Sequence, residues 1–567
     1  MATSADLLFA LLSEPRVRRE SPARIARALG RLARTASRDA GVLIRLHERL
    51  LFLLAYPPSL SSRGRAAALL ERIPGMVERL ETEGADLSAF DDPESAGIAG
   101  TTVTTEFSFD KSRWLQSRFP DRVGIDWDAA DQPDRLGAAL PRFVPLLEEE
   151  ALADANVDYR AWFSAARGRG RGDLAWLLER FESLPEGPRR RAELFNALAL
   201  PVEWRLGRLR QSRTFLRRPV RSVFLHREKL LSRGDVSLEA ELSSAPLRVR
   251  RLSRREAGAM LDMARASTAA RYREFYGFTY GDPSAGWAAR VGRGVEIFLF
   301  GIEPAWRLPL RAGYTALTLK NGVPAAYYEG LCFFERMEAG FNVYYTFREG
   351  ESAWIYAKVL KLCRQMLGVT SFSIDPYQIG FENEEAIESG AFWFYRKLGF
   401  RPTNPGVAAL VAREEARLAA DPGYRTSART LSRIATCNLL YEAGPPRGEW
   451  DRFHIRNLGL AVNRRMAREF GGDARAFRQA SLRRVCRLLS LDAAPWPAAR
   501  RQALEDLAPA LGAIPDLPRW TREEKEALLG VIRAKAGPDE RAYLARMRRH
   551  RRLRQAWIAL GSRKRNS

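Results

Sequence analysis

The stretch from Tyr314 to Phe334 carries the firmest local instruction in the chain. Residues 314–320 are β-prone, Asn321-Gly322 follows, and residues 323–334 are β-prone again. Asn-Gly accepts the positive φ angles of a two-residue turn, so the pair fixes an antiparallel hairpin here. The segments around it alternate in kind. Residues 247–252 read as a strand and 253–276 as a helix, with Ser253 as N-cap and Glu256 completing a capping box. After the hairpin, 341–347 reads as a strand, 352–367 as a helix, 371–375 as a strand, 384–398 as a helix and 407–411 as a last strand. The expected fold class is α/β with a mixed sheet, flanked by N-terminal and C-terminal α-helical regions.

At 567 residues the chain exceeds what one ordinary core organises. Three units are expected: residues 1–240, mainly helical; 247–413, the α/β domain; and 421–567, a basic helical region. No apolar run is long enough to cross a bilayer, and the first residues lack the basic start of a signal peptide, so a cytoplasmic location is expected. Cys332, Cys363, Cys437 and Cys486 stand apart and read as free, buried thiols. The four histidines are likewise scattered, which argues against a zinc site or a His-led triad.

A net charge of +24 is unevenly spread: residues 421–567 hold 31 Lys plus Arg against 15 Asp plus Glu. Arg541, Arg546, Arg548, Arg549, Arg551, Arg552, Arg554, Arg563, Lys564 and Arg565 have no acidic residue among them, so the tail reads as a frayed, solvated helix or as an arm for nucleic acid or another polyanion.

One segment carries a motif: Ala391-Phe392-Trp393-Phe394-Tyr395-Arg396-Lys397-Leu398-Gly399-Phe400. Ala391, Phe394, Tyr395 and Leu398 share one helical face, and Gly399 suits the end of that helix. On spacing alone Tyr395 is a core aromatic. With the element order, however, the segment resembles the N-acetyltransferase (GNAT) superfamily, whose A-x-x-φ-Y-x-x-φ-G-F pattern, φ apolar, it matches. The resemblance covers residues 247–413 and implies an acyl-CoA-dependent N-acyltransferase using acetyl-CoA or another acyl-CoA. It makes Tyr395 the acid that protonates the departing thiolate.

The same resemblance expects a glycine-rich turn holding the diphosphate at the start of the helix after the fourth strand. The best alignment is Arg348-Glu349-Gly350-Glu351-Ser352-Ala353. Arg348, Gly350, Ser352 and Ala353 are the expected cofactor-binding residues, and Glu351 stands where the family has a central glycine. A carboxylate there would repel a diphosphate and obstruct its approach. Glu388 stands where the family has an asparagine. For a general base, Glu329, Glu335, Asp375 and Glu382 are candidates, with Asp375 preferred because it ends a strand on the side where open α/β sheets bind ligands. The opposing expectation is a GNAT-like scaffold without catalysis that binds nucleic acid or protein. A relative of the aminoacyl-tRNA-dependent transferases would need a second such domain, and the sequence offers none.

Overall fold

The computed structural model describes residues 4–13, 16–130, 134–148, 157–445 and 448–562. It is a mixed α/β protein, 53% helical. No helix among the described residues is long and apolar enough to cross a membrane.

The N-terminal region is mainly helical, as expected, and its helix α1 (Ala40–Ala55) is almost wholly buried along its second half. It also holds three short strands that the sequence reading passed over: β1 (Thr102–Thr105), β2 (Val123–Ile125) and β3 (Val202–Arg205), with β3 central and both pairings antiparallel. Thr102–Thr105 is short and follows Gly97 and Gly100, which take positive φ angles, so no strand signal stands out there.

The large sheet has nine strands: β4 (Val249–Arg251), β5 (Gly281–Gly292), β6 (Val295–Ile302), β7 (Ala312–Lys320), β8 (Val323–Phe333), β9 (Arg336–Val343), β10 (Ser371–Ile374), β11 (Arg401–Pro402) and β12 (Leu439–Glu442). They lie in the order β4-β5-β6-β7-β8-β9-β10-β12-β11. Every pairing is antiparallel except β9 with β10, which is parallel. Asn321 and Gly322 turn β7 into β8 with φ of +47° and +85°, as a two-residue hairpin requires. A side chain at Gly322 would also collide with the Arg218 carbonyl.

Both faces of this sheet are covered, so alternation of polar and apolar residues is lost and every residue of β7 is buried. Leu317, Leu319, Val323, Ala325 and Tyr327 pack toward the N-terminal helices and α2 (Arg254–Ala269). Tyr314, Ala316, Tyr328 and Cys332 pack toward α3 (Ser352–Leu367) and a core that continues into the C-terminal helices.

Several boundaries differ from the sequence reading. Ser253 caps α2 through the Glu256 amide, but the Glu256 carboxylate binds Arg250 instead of closing a capping box, and the helix ends at Ala269 rather than 276. The strand expected at 341–347 is β9, which stops at Val343 and gives way to a tight turn at Tyr345–Phe347. Residues 384–398 form two helices, α4 (Glu384–Glu388) and α5 (Ala391–Arg396), broken at Gly390 in left-handed conformation. The strand expected at 407–411 is part of α6 (Pro405–Ala420), nucleated by Asn404 as N-cap and Pro405 in the first turn. The strand that completes the sheet is β12, beyond residue 413.

The C-terminal region contains α7 (Ile455–Phe470), α8 (Ala474–Leu488), α9 (Arg541–Arg549) and α10 (Arg551–Gly561). The arginine-rich segment is therefore no free arm as far as Ser562, because Tyr543, Leu544, Met547, Leu553 and Trp557 are wholly buried. Arg563, Lys564 and Arg565 lie outside the described residues. Cys332 and Cys363 are buried free thiols, whereas Cys437 and Cys486 are partly exposed.

Candidate functional site

β9 and β10 pair only where Arg336–Glu338 meets Ser371–Ser373. β9 then continues to Val343 along β8, while β10 ends at Ile374 and turns away. A gap opens where the parallel strands part, and a cavity of about 640 Å³ occupies it. Phe341, Asn342 and Val343 of β9, Ser352 of α3, and Phe394 and Tyr395 of α5 all face it.

Tyr395 is 3% exposed and sits in an aromatic cluster, 5.7 Å from the Tyr356 ring and 5.8 Å from that of Phe400. Burial raises its phenol pKa, opposed by a hydrogen bond with the Phe341 backbone. The phenol stays protonated at neutral pH, as a proton donor must. The motif that placed it at the end of a helix also explains its rigidity. Gly390 starts a fresh helix, and Gly399, with φ of +98°, turns the chain into β11.

Of the four residues expected to hold a cofactor, Arg348 and Ser352 face this cavity and Gly350 and Ala353 do not. Ala353 is buried in the core behind α3. Gly350 packs against α1, where a side chain would come within 2.5 Å of the Tyr56 Oη. The Glu351 amide donates to that same oxygen at 3.3 Å.

Glu351, expected to obstruct the turn, does not face the cavity. Its carboxylate is fully buried, 2.9 Å from Lys320 Nζ, in contact with Arg293 and accepting from the Leu231 amide at 3.2 Å. Burial alone would raise its pKa, but Arg293 and Lys320 outweigh that and bring it down to about 2. The carboxylate therefore stays charged and turned inward, makes no cap hydrogen bond, and leaves the first turn of α3 to the cavity through Ser352.

Three arginines border the cavity. Arg348 is paired with Glu94 at 3.2 Å and Glu385 at 2.5 Å. Arg273 lies 3.4 Å from Glu385 and 3.4 Å from the Tyr327 hydroxyl. Arg233 donates to the Trp393 carbonyl at 2.7 Å and makes no ion pair among the described residues; burial lowers its pKa.

A second cavity, of about 340 Å³, lies at the same strand gap, and Gln378 borders both. Its walls carry Leu308, Leu331 and Ile302 together with Glu329, Glu338 and Asp375, and with Arg311, which pairs with Glu338 at 3.4 Å. Glu329 is the half-buried carboxylate here; burial raises its pKa, opposed by the Gly277 amide, which donates at 3.0 Å.

Asp375, preferred from sequence as the base, borders the second cavity, as Glu329 does, and not the one that Tyr395 faces. It caps the following turn by accepting from the Tyr377 amide at 3.0 Å. Glu335 is held by Arg554 and by the Trp450 indole, and Glu382, with φ of +52°, borders neither cavity. Arg233, Arg273, Gln378 and Glu385 escaped the sequence reading. Gln378 lies in the turn Pro376–Ile379 after β10 and Glu385 in α4, while Arg233 and Arg273 come from connections without a motif. No group of residues suited to a metal ion occurs among the described residues.

No protein-family model matches the chain, and no curated protein or solved structure matches it either.

Proposed function

We propose that the chain is an acyl-CoA-dependent N-acyltransferase, probed first with acetyl-CoA. The observation that carries this reading is that Ser352, at the start of α3, and Tyr395 border one cavity where the parallel strands β9 and β10 separate. The parting of the parallel strands, with α3 following β9 and α5 following β10, supports the reading. Arg233, Arg273, Arg348 and the first-turn amides of α3 would hold the anionic end of the donor, helped by the helix dipole. An acyl-CoA would supply the thioester at the Tyr395 end.

The second cavity supports an amine as acceptor. It sets Glu329, Glu338 and Asp375 against Arg311, whereas the first cavity sets Arg233, Arg273 and Arg348 against Glu274 and Glu385, so the balance of charge favours a cation at one end of the gap and an anion at the other. Glu329, with its raised pKa, would take the proton that the amine must lose, and Tyr395 would donate one to the leaving thiolate. Tyr395 is buried and Glu329 half-buried, and they border different cavities that share Gln378 as a wall.

Isothermal titration of acetyl-CoA and longer acyl-CoAs into the full chain tests this. Binding by the wild type that is lost in Ser352→Glu supports the transferase. Absence of heat with every acyl-CoA favours the second reading, a scaffold without catalysis. The observation on that side is that α1 occupies part of the expected diphosphate turn, through Tyr56 against Gly350 and the Glu351 amide.

A further inference from the structure

A large uncompensated charge lies away from the cavity, on α7 and α8. Residues 455–488 contain nine arginines, no lysine and two carboxylates, Glu469 and Asp473. Neither carboxylate is free to neutralise the rest. Glu469 binds Arg465 and Arg468, and Asp473 caps α8 through the Arg475 and Ala476 amides. Arg456, Arg464, Arg475, Arg478, Arg483 and Arg487 are exposed and make no ion pair among the described residues.

The arrangement repeats. Arg456, Arg464, Arg465 and Arg468 of α7 recur as Arg475, Arg483, Arg484 and Arg487 of α8, each displaced by 19 positions. Burial recurs with them: Leu458 and its counterpart Phe477 are buried, Arg465 and Arg484 are half-buried, and the other three arginines of each set are exposed. Two helices joined by the short Gly471-Gly472-Asp473 link therefore each bury the same face and present guanidinium groups from the same three positions.

An arginine-rich composition alone does not explain this, because the equally basic α9 and α10 engage four of their seven arginines internally. Arg554 binds Glu335 and Glu449, Arg552 binds Asp516, Arg541 binds Asp539 and Arg548 binds the Leu367 carbonyl. At about 1.5 Å per residue, the exposed arginines of each helix span roughly 18 Å. That is about five phosphates along one strand of a duplex at roughly 3.4 Å each. Guanidinium forks suit phosphate oxygens, and no large exposed hydrophobic residue lies between 455 and 488 to stack on an unpaired base.

We infer that α7 and α8 form a docking surface for the phosphate backbone of a nucleic-acid duplex, read without regard to sequence. It stands independently of the transferase reading.

The test is fluorescence anisotropy of the full chain with labelled duplex DNA and duplex RNA of about 20 base pairs, in two unrelated sequences, over a salt series from about 50 mM. The expected result is binding to either duplex that is indifferent to sequence and weakens steeply with salt. The double variant Arg464→Gln, Arg483→Gln should bind at least about tenfold more weakly and reduce the slope of log affinity against log salt by about 2. A control pair in the tail, Arg549→Gln with Arg551→Gln, should leave both unchanged, with thermal melts confirming that each variant folds. Absence of binding at low salt, an equal loss in the control, an unchanged slope, or stronger binding to phosphatidylglycerol vesicles than to duplex would each overturn the inference.

Discussion

Glu351 and Lys320, neither exposed, face each other at 2.9 Å between the start of α3 and the end of β7. The pair ties the helix that borders the cavity to the hairpin, and Arg293 completes it from the β5–β6 turn. Removing Glu351 strands the buried Lys320, whereas replacing both leaves only Arg293, which reaches solvent. Glu351→Gln should therefore destabilise the protein by about 3 kcal/mol in urea unfolding, and Glu351→Leu with Lys320→Met by clearly less. A double variant as damaged as the single one would contradict this.

The same carboxylate fixes an acid dependence. Its folded pKa of about 2 lies below the ordinary 4.5, so its contribution is complete above about pH 4.5 and disappears as pH falls toward 2. Unfolding free energy measured across that window should fall less steeply in Glu351→Gln than in the wild type.

Gly390 interrupts what the sequence presents as one helix from 384 to 398. Its φ of +64° is left-handed, and open space surrounds its α-carbon, so a substitution meets backbone strain and no clash. Gly390→Ala should cost about 1 kcal/mol and Gly390→Asn less, read as shifts in thermal midpoint. Equal stability in all three would mean that the break relaxes into a continuous helix.

This break shows where the sequence was legible and where it was not. Asn321-Gly322 and the bounds of Ser352–Leu367 could be read because their signals are local: a turn pair, and a helix closed by Gly368 in left-handed conformation. Alternation marks a strand with one wet face, and β5 and β6, largely buried on either side, do not show it. α6 was misread as a strand because Val407 and Val411 are β-prone, while Asn404 and Pro405 just before them set a helix. At the site, Tyr395 and Ser352 came from a motif. Arg233, Arg273 and Gln378 meet them only through chain crossings that no local pattern encodes. Glu351 was read as an obstruction because sequence gives a residue's position in a turn but not the buried partners that turn its side chain away.

Glu329, not Asp375, is the carboxylate whose pH behaviour should govern an amine acceptor. Burial raises its pKa, so the base form is lost at a pH above the ordinary carboxylate range. The rate with saturating acyl-CoA should therefore fall on the acid side with a midpoint above about 4.5. Glu329→Gln should remove that limb and lower kcat/KM by about a hundredfold, while Asp375→Asn leaves it in place. An unchanged limb in Glu329→Gln would transfer the role to another group.

The sharpest test of the site is Tyr395→Phe. The ring keeps its contacts with Tyr356 and Phe400, so the fold and the cavity wall are preserved and only the hydroxyl beside Phe341 is lost. If Tyr395 supplies the leaving group's proton, kcat should fall about a hundredfold while the acyl-CoA dissociation constant stays within about twofold of the wild type. A thiolate of pKa near 8.5 needs that proton less as its own acidity rises, so a donor with a more acidic leaving thiol should recover much of the lost rate. A purely structural tyrosine predicts the reverse: a modest change in stability, kcat retained, and no dependence on the leaving thiol. Measuring kcat for both donors in both proteins separates the two roles without relying on loss of activity alone.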